Sequence, residues 1–225
     1  MQRESEPPAS RARLAIAEGV ALWPAYLNRT EQERLVSEIF ARVREAPFYR
    51  PRMPRSGKSF SVEETNFGPL GWYSDISGYR YETLHPITGQ PWPAMPEDIK
   101  QIWRDLAGYA DEPECCLVNL YLDGARMGLH QDRDEDAFDA PVLSISLGNE
   151  AVFRIGSTTR RGPSRSFLLR SGDVLIFGGV ARLAFHGIDR VVENSSTLIP
   201  GGGRLNLTLR RITATSQRKD ARPGG

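Results

Sequence analysis

The chain has 225 residues, of which 40% are hydrophobic and 25% charged, with a formal net charge of +1 and a pI of about 7.8. That length buries one sizeable core, so one domain with elaborations is expected rather than two, and the near-neutral balance confines any nucleic-acid contact to a local patch. No apolar run reaches membrane-spanning length, Met1 to Ser10 has no signal-peptide core, and the adjacent Cys115 and Cys116 suit reduced thiols, so a cytoplasmic monomer without membrane attachment is expected.

Residues 1–13 read as a disordered lead-in, and Leu14 to Leu27, broken by Gly19 and Pro24, as a strand and connection. Asn28 with Glu31 opens a helix in capping-box fashion. Leu35, Val36, Ile39, Phe40 and Val43 then recur at helical spacing until about Ala46, where Pro47 stops it. From Phe48 to Pro93 the chain turns to proline, glycine, aromatics and cations. Arg50, Arg52, Arg55 and Lys58 lie among Phe48, Tyr49 and Phe60, and Trp72, Tyr73, Tyr79 and Tyr81 follow. Cations that meet phosphates and rings that stack on bases suit a nucleic-acid surface, although solvated basic loops with a core tryptophan read the same way.

A second helix starts at Pro96-Glu97-Asp98, with Ile99, Ile102, Trp103 and Leu106 as its buried stripe and Gly108 as its C-terminal stop. Strand-like segments follow at 115–122, 126–131, 142–147, 151–155, 166–170, 173–177, 181–188 and 204–212. Dense short strands without helices between them argue for an antiparallel sandwich or barrel. Residues 213–225 read as a mobile polar tail.

Two stretches carry chemistry. In an extended strand His130, Asp132 and Asp134 share one face, and an imidazole beside a carboxylate makes two corners of a metal site. Of the three histidines, His85 sits in a turn-like Leu84 to Gly89 stretch, which leaves His186 to complete a 2-His-1-carboxylate triad for Fe(II) with open positions. Alone, His-x-Asp more often marks a surface turn with a histidine in it. The run Arg204 to Arg210 shifts the balance, because it alternates strictly, with Arg204, Asn206, Thr208 and Arg210 on one face and leucines on the other. A surface strand would alternate the same way with its arginines in water; inside a barrel they would need an anion, and guanidinium matches carboxylate bidentately, so a dicarboxylic acid fits.

The residues Asn119-Leu120-Tyr121 with Gly124, His130 to Glu135, Phe185 to Ile188 and Arg204 to Arg210 resemble the AlkB family of Fe(II)- and 2-oxoglutarate-dependent dioxygenases that repair alkylated nucleobases. The likeness extends through Asn66 to Trp72, Gly78 to Tyr81 and Pro91 to Pro96, covering about residues 14–212. It implies a mostly β chain with α elements. A double-stranded β-helix (jelly roll) over 96–212 would follow an N-terminal extension and nucleotide-recognition lid over 14–95. It implies iron on His130, Asp132 and His186, with O2 at the metal. It also implies 2-oxoglutarate held by Arg204 and Arg210, with hydrogen bonds from Asn119, Tyr121 and Asn206. Trp72 and Tyr79 would position a flipped base in alkylated DNA or RNA, Asp134 would contact its amino group, and Arg160 (or the neighbouring Arg161) would approach the substrate.

The implied reaction demethylates bases of the 1-methyladenine and 3-methylcytosine type, releasing formaldehyde and succinate. Glu63-Glu64 departs from the apolar residue of well-known bacterial members; it would favour a cationic base or face water. A 2-oxoglutarate hydroxylase of a protein side chain or small molecule, or a non-catalytic β-barrel binding module, would share parts of this pattern.

Overall fold

The alternating run Arg204–Arg210 becomes the strand around which the computed structural model, which describes residues 12–122 and 124–214, is centred. The N-terminal half contains β1 (Leu14–Ala17), β2 (Val20–Trp23), α1 (Arg29–Val43), β3 (Glu63–Phe67), β4 (Gly71–Asp75), β5 (Gly78–Glu82) and α2 (Glu97–Leu106). The C-terminal half contains β6 (Cys115–Tyr121), β7 (Met127–His130), β8 (Val142–Gly148), β9 (Ala151–Gly156), β10 (Ser164–Leu169), β11 (Val174–Phe177), β12 (His186–Val191) and β13 (Arg204–Arg210).

A seven-stranded sheet runs in the order β1-β2-β11-β8-β13-β6-β3, a four-stranded sheet in the order β10-β9-β12-β7, and β4-β5 forms a separate hairpin. The strands pair antiparallel in both large sheets. This is the double-stranded β-helix, with a helical layer outside the larger sheet.

The side-chain alternation of β13 decides which face is which. Leu205, Leu207 and Leu209 are each 0% exposed and pack with Leu35 and Ile39 of α1 and Ile99 and Trp103 of α2. Burying three leucines contributes about 5–9 kcal/mol as an upper figure. The polar positions of β13 are thereby turned inward, toward the smaller sheet. There Phe153 and Ile155 of β9 and Ile188 of β12 close on Val142, Leu175 and Phe177 of the larger one. Helix α1 starts where the capping pattern places it: Glu31 N donates to Asn28 Oδ1 (3.0 Å) and Asn28 N donates to Glu31 Oε2 (2.7 Å). Such a box is worth about 1 kcal/mol.

The structure differs from the expected strand over 181–188. A single 3-10 turn spans Gly179–Ala181, and β12 begins only at His186. The reason is Arg182, a buried cation inside an apolar run. It donates to Ala140 O (2.9 Å), Asp132 O (2.7 Å) and Glu135 Oε2 (3.1 Å), which holds the chain in a turn. The expected disordered lead-in and mobile tail fall largely on residues 1–11 and 215–225, outside the described residues. Among the described residues, no helix is long and apolar enough to cross a membrane.

Candidate active site

The register between the smaller sheet's strands brings the two distant histidines together, because His186 of β12 is the direct partner of His130 at the end of β7. The strands approach closely at Gly187, where a Cβ would lie 2.5 Å from Met127 O. Any side chain there would push His186 away from His130. The strand ends at His130, so Asp132 stands on the following loop rather than on a continued strand face. Arg182 fixes that loop through Asp132 O.

The potential ligand atoms of His130, Asp132 and His186 all lie within 4.8 Å of one another. His130 Nε2 is 3.7 Å from Asp132 Oδ1, and His186 Nε2 is 3.8 Å from Asp132 Oδ2. Each imidazole donates its Nδ1–H to a backbone carbonyl, His130 to Gly128 (2.9 Å) and His186 to Ala184 (3.0 Å). That tautomer leaves both Nε2 lone pairs turned toward the carboxylate, as metal ligation requires.

Electrostatics keep His186 and Asp132 in the forms a metal takes. Burial pushes His186 down to about 4, and the adjacent His130 adds to this. The ring is therefore neutral near pH 7. Burial alone would raise Asp132, but the Arg210 guanidinium, both imidazoles and Arg182 hold it well below the usual carboxylate range. Arg210 grips Asp132 through Nε to Oδ2 (3.0 Å) and Nη2 to Oδ1 (2.9 Å).

Beside these groups lies a cavity of about 50 Å³, lined by His130, His186, Asn119, Tyr121, Arg204, Asn206 and Arg210. Arg204 is 0% exposed and donates through Nη2 to Ser146 Oγ (2.9 Å), with its guanidinium 5.4 Å from the Tyr121 ring centroid. Its Nε and Nη1 have no partner. Burial lowers its pKa, but not enough for a guanidinium to lose its proton, so a cation with two unused donors faces a cavity. Asn206 is anchored by Nδ2 to Ser144 Oγ (2.7 Å) and to Ile145 O (3.1 Å), and its Oδ1 accepts from Thr208 (3.1 Å). Two imidazoles and a carboxylate fit ferrous iron, and the unpartnered Arg204 donors fit the carboxylate of an oxo-acid.

Trp72 and Tyr79, expected to position a base, come together on the β4–β5 hairpin. The Trp72 and Tyr79 rings of the β4–β5 hairpin stack at 5.5 Å with 21° between planes, and Trp72 Nε1 donates to Asp134 Oδ2 (3.1 Å). Tyr81 reaches further in, donating to Glu135 Oε1 (2.5 Å), and Arg210 Nη1 is 3.5 Å from its hydroxyl. Arg160 is exposed, 5.6 Å over the Phe185 ring. His85, set aside from the sequence as a turn residue, is a buried packing residue against Tyr49 and Trp92, with Nε2 2.8 Å from Pro47 O. Cys115 and Cys116 are free and buried, and burial pushes the Cys115 thiol up to about 12.

Sequence reasoning assigned no role to Arg182, Glu135 and Gln131, which brace the metal loop; Gln131 Nε2 donates to Leu183 O (2.6 Å). The signal for Arg182 was its lone charge within Val180 to Phe185.

The family model described as the 2OG-Fe(II) oxygenase superfamily matches residues 19–210. The chain is 54% identical over 198 residues to the alpha-ketoglutarate-dependent dioxygenase AlkB homolog of Caulobacter vibrioides, covering 88% of this chain and 90% of that protein. It is 39% identical over 183 residues to the alpha-ketoglutarate-dependent dioxygenase AlkB of Escherichia coli K12, covering 80% and 84%. The solved structure of OsALKBH1 superposes with a TM-score of 0.76 at 30% identity, over 89% of this chain and all of that one. An iron-competent triad, a cavity built for an oxo-acid, and these likenesses across nearly the whole described chain make it a member of the AlkB family of Fe(II)- and 2-oxoglutarate-dependent dioxygenases.

Proposed function

We propose that the chain removes N-linked methyl groups from bases of the 1-methyladenine and 3-methylcytosine type in DNA or RNA. The observation that carries this reading is an indole stacked on a phenol and hydrogen-bonded to Asp134, two residues along the chain from the expected metal ligand Asp132.

His130 and His186, through Nε2, and Asp132 would hold the iron. Arg204 pairs with the distal carboxylate of 2-oxoglutarate, and Arg210 lies near the other end. Asn119, Tyr121 and Asn206 supply hydrogen bonds from the larger sheet. Once bound, iron, 2-oxoglutarate and O2 supply the oxidation that places a hydroxyl on the N-methyl carbon, with succinate and CO2 formed from the co-substrate. The protein's part is orientation and exclusion of water. The target methyl lies on the Watson–Crick edge, so the base enters from a single strand or after flipping. Trp72 and Tyr79 offer it stacking faces, and the Asp134 carboxylate would favour a cationic methylated ring. Arg50, Arg52, Arg55, Lys58 and Arg160 are exposed, as cations for the phosphate backbone. The hydroxymethyl product then collapses to formaldehyde and the unmodified base.

Incubation with Fe(II), 2-oxoglutarate, ascorbate and a 1-methyladenine oligonucleotide should give, by mass spectrometry, the loss of one CH2. His130→Ala, Asp132→Ala and His186→Ala should each abolish it. Turnover of 2-oxoglutarate with no change in any methylated oligonucleotide would defeat the substrate assignment.

A further inference from the structure

Glu63 and Glu64 part company in the structure. Glu63 pairs with Arg50 at 3.3 Å near the surface. Glu64 is 0% exposed, and neither of its carboxyl oxygens has a hydrogen-bond partner. Its register partner across β3–β6 is Asn119, so the two side chains stand next to each other on the inward face of the sheet. Asn119 Oδ1 is also buried and without a partner, while Asn119 lines the cavity.

Facing acceptors with no donor between them are costly unless one carries a proton. An amide oxygen does not, and a carboxyl does so readily when desolvated. Among the described residues, the titratable and charged groups whose fields couple to Glu64 are Tyr49, Tyr121 and Arg210. Both tyrosines are pushed up by burial and then by Glu64 itself, so they stay neutral. Burial pushes Glu64 up to about 8, against the opposing pull of Arg210.

We infer that Glu64 serves as a neutral carboxylic acid whose O–H is donated to Asn119 Oδ1, fixing that amide so its NH2 is presented to the co-substrate cavity. Glu64 is thus a positioning residue that acts through Asn119. The inference rests on the reading of the cavity as a 2-oxoglutarate site. Loss of the proton would replace a donor by a repelling acceptor and release the amide, and it would add a negative charge near the site of a dianion.

Two variants and two readouts test it. Glu64→Gln keeps an N–H donor in the same shape and does not titrate; Glu64→Met fills the space with no donor. In metal-free protein, infrared difference spectra of wild type against Glu64→Gln should show a protonated-carboxyl stretch at about pH 6 that fades as pH rises through about 8. For Mn(II)-loaded protein, calorimetric 2-oxoglutarate binding at about pH 7 should match between wild type and Glu64→Gln within about two-fold. Glu64→Met should bind roughly five- to ten-fold more weakly, the effect of one buried hydrogen bond. Above about pH 8 wild type should weaken relative to Glu64→Gln.

Absence of the infrared band, a Glu64→Met that binds as wild type does, or a Glu64→Gln with the wild-type pH dependence each overturns the inference; the last decides it even where Glu64→Met does not fold. Wild-type protein that binds no 2-oxoglutarate overturns the cavity reading as well, whereas normal wild-type binding with an indifferent Glu64→Met overturns the positioning role alone.

Discussion

Arg204→Met should move stability and ligand binding in opposite directions. In the ligand-free protein Arg204 is a fully buried cation with one hydrogen bond, to Ser146 at 2.9 Å, and a Tyr121 ring 5.4 Å away. A charged hydrogen bond contributes about 1.5–3 kcal/mol and a desolvated cation–π contact about 2. Desolvating an ion without a counterion costs several kcal/mol more than that, and methionine fills much the same volume. The variant should therefore gain about 1–4 kcal/mol, the range found when buried charges give way to apolar groups. For a chain of this size that raises Tm by roughly 2–16 °C.

Binding goes the other way: a diacid carboxylate that enters the cavity without its guanidinium loses about 3–5 kcal/mol. That weakens 2-oxoglutarate by two to more than three orders of magnitude. Thermal melts of metal-free protein and calorimetric titration of Mn(II)-loaded protein read the two effects separately. A variant that melts lower than wild type without ligand, yet binds 2-oxoglutarate within about five-fold, refutes the assignment of Arg204 as the waiting partner of an anion.

Other perturbations separate the parts of the site. Mn(II) at about a hundred times its Kd should stabilise wild type by about 2.7 kcal/mol, and His186→Ala should lose that shift in melting experiments. Trp72→Ala should cut demethylation of an oligonucleotide by roughly 5- to 150-fold, the worth of one stacked base, and leave 2-oxoglutarate affinity unchanged; equal losses of both would place Trp72 in the core instead. Glu64 also links stability to pH. Its folded pKa of about 8 lies above an unfolded value near 4.5, so the native state binds more protons between those limits and its stability falls as pH rises through them. Glu64→Gln lacks this dependence, so its stability should gain on wild type steadily from about pH 5 to pH 8, by up to about 3–5 kcal/mol in total. Parallel melting curves across that range would contradict the buried neutral acid.

Periodicity made the sheet faces of β13 and β8 legible, because a period of two assigns every residue to one side and the leucines could only face the core. The capping residues likewise marked the start of α1. Strand order was not legible: β1 and β2 join β11, and β3 joins β6, through pairings that hydrophobic pattern alone does not specify. The turn before β12 was hidden because Val180 to Phe185 reads as apolar except for Arg182, whose partners lie more than 40 residues away in sequence. Asp132 was found for a reason only partly met. The strand face expected to carry it ends at His130, and a loop braced by Arg182 does the placing. Burial of Glu64 escaped sequence reasoning because its neighbour Glu63 is an equal candidate for either face, and only the register with Asn119 decides between them.

The charges around the triad imply that metal and diacid help each other bind. Arg210 occupies both oxygens of Asp132 and lies 3.6 Å from Glu135, which also takes Arg182 at 3.1 Å and the Tyr81 hydroxyl. A divalent ion on Asp132 must share that carboxylate with Arg210, which leaves the Arg210 and Arg182 guanidiniums facing less negative charge than before. A dianion restores the balance, and Arg204 and Arg210 are the groups placed to take it. In turn, a dianion bound first offsets the repulsion that the guanidiniums exert on an incoming ion. Coupling of about 1–3 kcal/mol is expected, so 2-oxoglutarate should bind roughly 5- to 150-fold more tightly with Mn(II) present. By linkage, Mn(II) should gain the same factor from 2-oxoglutarate. Calorimetric titrations in both orders measure the two factors independently. Equal affinities with and without the partner would mean that Arg210 does not let go of Asp132, and that the metal is held without it.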